Sequence, residues 1–361
     1  MNKATKDIDC KQNMFFIASP LHLICARILA TTVYRGETNR LFYLKPDIEK
    51  LINTSYWSSI DYLPWARHYP LAGLFGRFRR IIANANIVKA RGRNAQQITL
   101  IMPVIDSEAY NYNISIAKNI MNGVTPEVHL LPDGLLNIRR HEQGKIREFA
   151  KVLRKFRRLF VPELNYHLFR GDRTGADDPI VTKIYTFPGF PNEYDKQKVI
   201  ELDFRGAFKT HQHADINQHK ALVIGQPLCA LGVLSEKNLK TIADKIQEHI
   251  RDLGITEIDY KGHPRDKRNE LCCNHYRPLT IEQPLENYIF ENPYKVIIGI
   301  NSTTLILSKL VLDDICEVVS CYPDLVLHRK ANELDENTAL FRSTGVKVIY
   351  SSDQGTRIEH N

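Results

Sequence analysis

The sequence predicts an α/β protein made of two Rossmann-like halves, on the basis of two patterns. In the first half of the chain, apolar segments of strand length alternate with segments of helical periodicity, as the crossovers of a parallel sheet require. After an irregular, polar stretch at residues 190–218, the same alternation begins again. A chain of 361 residues with 43% hydrophobic residues can form two cores, so we expect domains at residues 1–205 and 206–361.

The first half opens with NMFFIASPLHLICARILATTVY, in which an apolar strand stops at Ser19 and Pro20 and a helical pattern follows. Further strands are expected in NRLFYLK, QQITLIMPVI and PEVHLLPDG. Helical material such as DSEAYNYNISIAKNIMNG lies between them. Because helices separate the strands, parallel pairing is expected.

The second half repeats this pattern. ALVIGQP is a strand that ends at Gly225, SEKNLKTIADKIQEHIRDLG is a helix with a Ser cap and a Gly stop, and ITEIDYKGHP is the next strand. KVIIGI, CEVVSCY and VKVIYSS are further strands, and NSTTLILSKLVL opens a helix. Two such halves facing across a cleft form the GT-B architecture of nucleotide-sugar glycosyltransferases, in which the last helix can cross back to the first domain. Because a fold alone does not determine an activity, the activity has to be inferred from the site residues.

Composition favours a cytoplasmic protein without a metal. No stretch approaches the roughly 18 apolar residues of a membrane-spanning helix, and the segment MNKATKDIDCKQN lacks the apolar core of a signal peptide. The seven cysteines lack the spacing of a zinc site and are expected to be free thiols. His211, His213 and His219 have no ligating partners at the usual spacing, so no metal site is expected.

The formal net charge of +8 is unevenly distributed along the chain. Residues 76–93 and 151–160 interleave Arg and Lys with apolar residues, which is typical of helices on an anionic bilayer or around an anionic ligand. A solvated helix face with an ordinary apolar stripe explains each segment equally well. Nucleic acid is not an expected partner, because no nucleic-acid-binding module accompanies the charge.

Four short motifs follow predicted strands, at the edge where open α/β sheets bind ligands. They are Ser19-Pro20, Pro132-Asp133-Gly134, Lys261-Gly262-His263-Pro264 and Asn301-Ser302-Thr303-Thr304. Since Asp133 follows a buried strand, its carboxylate is placed to take a proton from a hydroxyl group. A Pro-Asp-Gly turn without a catalytic role is the alternative.

The segment YKGHPRDKRNE places a histidine directly after a strand. Gly262 permits a tight turn, and Pro264 biases His263 toward an extended conformation at the rim of the sheet. Strand alternation directs Lys261 to the same side as His263.

An anion site is expected further along the chain. Ser302, Thr303 and the first backbone N–H groups of the following helix form a cradle for phosphate, unless the two side chains serve only as caps. Glu286 lies between the His-Pro and Ser-Thr motifs and suits the ribose hydroxyls of a nucleotide. As a first-turn glutamate, it also complements a helix dipole.

The order Asp-Gly, Lys-Gly-His-Pro, Glu and Ser-Thr on strand ends resembles the bacterial sialyltransferases, in particular the lipooligosaccharide sialyltransferases and capsular polysialyltransferases. The residues that match the family's motifs are Asp133-Gly134, His263-Pro264 and Ser302-Thr303. The opening FFIASPLHLICA also resembles the family's first strand and helix. The family's first acidic position is Pro132 here, which leaves a single carboxylate in that motif.

The resemblance implies a metal-independent, inverting transfer of sialic acid from CMP-sialic acid to a hydroxyl of a bacterial lipopolysaccharide, lipooligosaccharide or capsule. Asp133 would be the general base, and His263 would protonate or hydrogen-bond the departing phosphate. The substrate-binding candidates are Ser19, Gly134, Gly225, Lys261, Pro264, Glu286, Ser302 and Thr303. No cofactor is implied, and the basic segments would place the enzyme on the inner membrane surface beside a lipid-linked acceptor.

Two alternatives stay open. One is another GT-B transferase that uses a CMP-nonulosonic acid, CMP-Kdo or a CDP-polyol as its donor. The other is a non-catalytic scaffold for glycan assembly, although a scaffold has no need for an acid, a base and a phosphate cradle together. A panel of CMP-sugars and CDP-glycerol separates the donors, and unchanged glycan production by a His263→Ala variant in cells would favour the scaffold.

Overall fold

A computed structural model describes the chain at residues 11–133, 140, 143–204, 217–263, 265–312, 315–322 and 338–350. The chain divides into two compact units, one of residues 1–188 with 192–202 and the other of residues 189–191 with 203–361. The boundary expected from the sequence lies between residues 205 and 206, and the last division in the structure lies between residues 202 and 203.

The first unit contains a seven-stranded sheet in the order β3-β2-β1-β4-β5-β6-β7, in which all neighbouring strands are parallel. Its strands are β1 (Lys11–Ile17), β2 (Thr38–Tyr43), β3 (Ser59–Tyr62), β4 (Gln97–Met102), β5 (Glu127–Leu130), β6 (Val181–Thr186) and β7 (Val199–Glu201). In β1 every residue after Lys11 is buried, because helices cover both faces of a parallel sheet.

The described residues of this unit form four α-helices: α1 (Pro20–Thr31), α2 (Gly76–Gly92), α3 (Glu108–Ile120) and α4 (Lys145–Lys155). Three short 3₁₀ helices in the same described part span Pro46–Leu51, Thr54–Tyr56 and Phe156–Leu159. Helix α1 begins where the sequence predicts, because Ser19 accepts a hydrogen bond from the backbone N–H of His22 and Pro20 occupies the first turn. Ser107 caps α3 in a similar way, by accepting from the N–H of Ala109.

The second unit contains a six-stranded parallel sheet in the order β10-β9-β8-β11-β12-β13. Its strands are β8 (Asn217–Ile224), β9 (Glu257–Lys261), β10 (Arg277–Pro278), β11 (Tyr294–Gly299), β12 (Glu317–Tyr322) and β13 (Lys347–Tyr350). Among its described residues are the helices α5 (Glu236–Asp252), α6 (Leu285–Glu291) and α7 (Thr303–Leu312), and residues 338–343 are also helical. Ser235 caps α5, as the sequence predicts.

Both sheets follow the strand order of the Rossmann fold, and in both the order reverses at the strand that comes first in the chain. These reversal points lie between β1 and β4 and between β8 and β11. The prediction of an α/β protein with two Rossmann-like halves is therefore confirmed. Ligands of such sheets bind outside the carboxyl ends of the strands beside the reversal point, so the loops after those strands carry the candidate site.

Two sequence-based expectations can be compared with the described residues. Among them, no helix combines the length and apolarity needed to cross a bilayer. The six cysteines that the structure describes are free thiols. That the last helix crosses back to the first domain stays a prediction, because residues 351–361 lie outside the described residues.

Candidate active site

The carboxyl edge of the first sheet brings Ser19 and Asp133 to one cavity. Ser19 follows β1 and Asp133 follows β5, and β4 pairs with both strands in parallel. Their loops therefore leave the sheet on the same side. Both residues line a cavity of about 560 Å³ that lies within the first unit.

His22 is the hydrogen-bond partner of Asp133, and the sequence analysis did not single it out. Its side chain is 4% exposed, and its Nε2 lies 2.9 Å from Oδ1 of Asp133. The backbone N–H of Ala18 donates to its Nδ1 at 3.2 Å. Because Nδ1 accepts that bond, a neutral His22 carries its proton on Nε2 and donates it to Asp133.

The pKa of Asp133 reflects two opposed effects. Burial raises the pKa of this carboxyl, whereas the hydrogen bond from His22 and the nearby charges of Lys45 and Arg173 lower it. The second group of effects prevails, so the pKa of Asp133 lies below its ordinary value. A carboxylate of this kind is ionised at neutral pH and 30% exposed toward a ligand.

The cavity beside Asp133 has an excess of positive charge. Six cationic side chains and three carboxylates line it within the described part of the chain. The cationic residues are Lys45, Arg67, Arg77, Arg147, Arg154 and Arg173. Trp65 contributes an indole ring to the wall, which suits the apolar face of a sugar. The lining therefore favours an anionic ligand with a ring.

The carboxyl edge of the second sheet brings together the other predicted residues. Gly225 follows β8, and Lys261 is the last residue of β9, with His263 two positions later. Ser302 and Thr303 lie at the start of α7, after β11. Since β8 pairs with both β9 and β11 in parallel, these residues share one edge of the sheet beside the reversal point.

His263 is held in a defined tautomer. The backbone N–H of Arg265 donates to its Nδ1 at 3.0 Å, so a neutral His263 carries its proton on Nε2. Burial and the neighbouring charge of Arg265 lower the pKa of His263, and Asp266 only partly offsets them. The side chain therefore presents a neutral Nε2–H donor at neutral pH.

Two carboxylates that the sequence analysis missed fix the loop after His263. Asp266 accepts hydrogen bonds from the backbone N–H groups of Arg268 (3.1 Å) and Glu270 (2.8 Å), and its own N–H donates to the carbonyl of His263. Glu270 accepts from the N–H groups of residues 229 and 230, at 2.7 and 3.0 Å. The His263 loop is thereby tied to the loop that follows β8.

Glu286 lies next to the start of α7. Its Oε1 accepts a hydrogen bond from the hydroxyl of Thr304 at 2.9 Å. Burial raises the pKa of Glu286, and the bonds it accepts offset this only in part. The contact brings Glu286 to the same turn of α7 that begins with Thr303.

Gly225 has a packing reason for lacking a side chain. A Cβ atom at this position would lie 2.2 Å from the hydroxyl oxygen of Tyr260. In the sequence analysis, this glycine is a substrate-binding candidate. The structure shows that Tyr260 alone already requires a glycine there.

Four of the residues considered in the sequence analysis lie outside the described residues. They are Gly134, His211, His213 and Pro264. His219 belongs to β8 rather than to an irregular connection. The described residues contain no group of three or more His, Cys, Asp or Glu side chains that could hold a metal ion.

Comparison with known proteins gives one family match in sequence. Residues 168–322 match the family model of alpha-2,8-polysialyltransferases. This stretch contains Lys261, His263, Glu286, Ser302 and Thr303. No curated protein matches the chain.

Solved structures give matches in fold. A 2,6-sialyltransferase from Photobacterium sp. JT-ISH-224, in complex with CMP and lactose, aligns with a TM-score of 0.56 at 12% identity, over 95% of this chain and 78% of that one. A UDP-GlcNAc 2-epimerase from Methanocaldococcus jannaschii aligns with a TM-score of 0.48 at 12% identity, over 93% of this chain and 92% of that one. The family match confirms the resemblance to sialyltransferases that the order of motifs predicted. The alignment with the 2,6-sialyltransferase supports the GT-B fold class.

Proposed function

We propose that this glycosyltransferase, similar to the bacterial sialyltransferases, moves sialic acid from CMP-sialic acid to a hydroxyl of a bacterial surface glycan, with inversion and without a metal. One observation carries the proposal. The stretch that matches the polysialyltransferases holds His263, Ser302 and Thr303 at one edge of a Rossmann-like sheet. The related fold of a 2,6-sialyltransferase in complex with CMP supports the choice of donor.

In the proposed reaction, Asp133 acts on the acceptor. Its carboxylate takes the proton of the attacking hydroxyl, and the hydroxyl oxygen forms a bond to the anomeric carbon of sialic acid. The bond from that carbon to the CMP phosphate oxygen breaks at the same time, which inverts the anomeric centre. His22 donates to Oδ1 of Asp133 and keeps the carboxylate ionised and oriented for this step.

His263 acts on the leaving group. As the glycosidic bond breaks, negative charge develops on the phosphate, and a neutral Nε2–H of His263 donates a hydrogen bond to it. Ser302, Thr303 and the N-terminal end of α7 hold the other phosphate oxygens, and Lys261 adds positive charge at the same edge. Because the protein supplies these donors and charges, the reaction needs no metal ion.

The remaining residues bind substrates. Glu286, held by Thr304, accepts hydrogen bonds from the ribose hydroxyls, and Gly225 leaves room for the nucleotide beside β8. Ser19 lines the cavity that also contains Asp133. The excess of cationic side chains there favours an acceptor glycan with its own negative charge. The acceptor is proposed to be linked to a lipid at the inner membrane.

The test is a transfer assay with defined donors and acceptors. The purified protein is incubated with CMP-sialic acid and with labelled galactosides that carry or lack a terminal sialic acid, and the products are identified by mass spectrometry. CMP-Kdo and CDP-glycerol serve as competing donors. We expect transfer from CMP-sialic acid and a preference for acidic acceptors. Transfer from another donor alone, or no transfer with any of them, contradicts the proposal.

A further inference from the structure

Helix α4 presents its apolar residues to solvent. Five apolar side chains recur at intervals of three and four residues along α4 and the 3₁₀ turn after it, so they share one face. They are Ile146, Phe149, Leu153, Phe156 and Phe160, with exposed fractions of 89, 64, 53, 57 and 80%. We refer to these five residues as the apolar face of α4.

The opposite face of α4 is polar and packs against the first unit. Lys151 is 2% exposed and donates to the carbonyl of Phe169 at 3.1 Å. Arg154 and Arg157 form ion pairs with Glu108 at 3.2 and 3.1 Å. These buried contacts fix the rotation of the helix. The apolar face therefore points away from the unit's own core, which is the reverse of an ordinary amphipathic helix.

A second exposed apolar element belongs to the same unit. Leu74 and Phe75 are 85 and 78% exposed and directly precede α2. Arg77, two residues later, pairs with Glu108 at 2.8 Å, the same carboxylate that binds Arg157. The loop with Leu74 and Phe75 therefore lies beside the C-terminal end of α4.

The charges around these residues indicate what kind of surface binds the apolar face of α4. The stretch 145–160 contains seven Lys or Arg residues and a single acidic residue, and three of these cations, Lys151, Arg154 and Arg157, contact the first unit on the other side of the helix. Arg158 in this stretch and Arg79 near the Leu74-Phe75 loop are both exposed. Exposed aromatic and aliphatic side chains next to cationic ones match the interface of an anionic bilayer, where apolar side chains enter the acyl boundary and cations contact headgroups.

We propose that the apolar face of α4 binds the surface of an anionic lipid bilayer. The opposite side of the same helix supplies Arg147 and Arg154 to the cavity beside Asp133. Where the proposed function holds, a bilayer on α4 would bring a lipid-linked glycan close to that cavity. Binding to the bilayer itself does not depend on which sugar is transferred.

The test is co-sedimentation of the full-length protein with vesicles of phosphatidylglycerol and phosphatidylcholine, compared with vesicles of phosphatidylcholine alone. We expect the wild type to bind the anionic vesicles and to release them at high salt. A triple variant, Phe149→Ser, Leu153→Ser and Phe156→Ser, should lose at least about tenfold in binding, because three inserted side chains are removed. A control with Val124→Ser and Leu231→Ser, which replaces exposed apolar residues elsewhere, should bind as the wild type does.

Three results would overturn the proposal: no binding of the wild type to anionic vesicles, equal binding of the triple variant, or self-association through the apolar face in place of vesicle binding. Sedimentation velocity without lipid detects the last. Transfer to a soluble acceptor is measured in parallel and should be unchanged in the triple variant. A failure of transfer with intact vesicle binding would contradict the proposed function alone.

Discussion

Among single residues, some candidate positions in the two units are visible in the sequence and others are not. Asp133, His263 and Ser302 follow predicted strands, so their places could be predicted from the alternation of strands and helices. His22 could not, because its partner Asp133 is 111 residues away and the helical pattern around it fits an ordinary buried residue. The pairing exists only because β1 and β5 end at the same edge of one sheet.

His22 acts on the pKa of Asp133 in a motif that lacks the family's second carboxylate. Pro132 occupies the family's first acidic position, so the residue directly before Asp133 carries no carboxylate. Instead, the hydrogen bond from Nε2 of His22 lowers the pKa of Asp133 against the effect of burial. We infer that His22 is a positioning residue for this carboxylate.

The first prediction concerns His22→Ala. Activity requires an ionised Asp133 and is lost as the pH falls through its pKa, which lies below the ordinary value in the wild type. Without the donor, burial raises this pKa, so the acid limb of the kcat/KM profile should move to higher pH. We also expect kcat to fall roughly 10- to 100-fold. An acid limb that stays in place, or that moves equally in the exposed control His275→Ala, would argue against this role.

At the scale of elements, strands with a run of apolar residues are predictable from the sequence, whatever their length. Strands β1, β2, β4, β5, β8, β9, β11, β12 and β13 were predicted in this way. Strands β3, β6, β7 and β10 were not predicted. Residues Ser59–Tyr62 of β3 are all only partly buried, and β7 is a three-residue edge strand, so neither has an apolar run to detect. Lys183 and two threonines interrupt β6 in the same way.

Of the two carboxylates that fix the loop after β9, Asp266 is the one that contacts His263 directly. Asp266 accepts two backbone hydrogen bonds, and its own N–H donates to the carbonyl of His263. These bonds fix the backbone that carries the imidazole. The sequence analysis treated this segment only as a His-Pro turn. The capping role of Asp266 becomes visible when the hydrogen bonds are traced.

The second prediction concerns Asp266→Ala. Loss of two accepted hydrogen bonds should destabilise the protein by roughly 1–3 kcal/mol and loosen the loop. Because His263 is then misplaced relative to the leaving phosphate, kcat should fall about 10- to 100-fold while KM for the acceptor stays nearly constant. Thermal unfolding and steady-state kinetics measure both effects. Asp244→Ala, an exposed position on α5, is the control, and an equal loss of kcat there would refute the assignment.

At the scale of the whole molecule, the two-sheet architecture follows from the repeated pattern, but the strand order within each sheet does not. The order depends on which strands pair across many intervening residues. One consequence of that packing is the burial of His129 on β5, which contacts the hydroxyl of Tyr34 through Nδ1 and Glu127 through Nε2. Burial and the charges of Lys183 and Lys11 lower the pKa of His129 to about 3.

The third prediction is that the free energy of unfolding falls as the pH is lowered from about 6.5 toward 3. In this window the unfolded chain binds a proton at His129 and the folded protein does not, so acid favours unfolding by up to about 1.4 kcal/mol per pH unit. The lowered pKa values of His249 and His263 act in the same direction. Urea unfolding at several pH values measures the slope. His129→Gln should reduce the slope by about one proton, and an unchanged slope would contradict the assignment.

In the proposed mechanism, Asp133 acts on the acceptor and His263 acts on the leaving CMP. Release of CMP from CMP-sialic acid, measured with and without acceptor, tests it most directly. Asp133→Asn should abolish transfer while slow hydrolysis of the donor by water continues, because the leaving group is still assisted. His263→Ala should reduce hydrolysis and transfer together, by roughly 10²- to 10³-fold. Folded variants in which Asp133→Asn transfers normally, or His263→Ala releases CMP at the wild-type rate, would contradict the account.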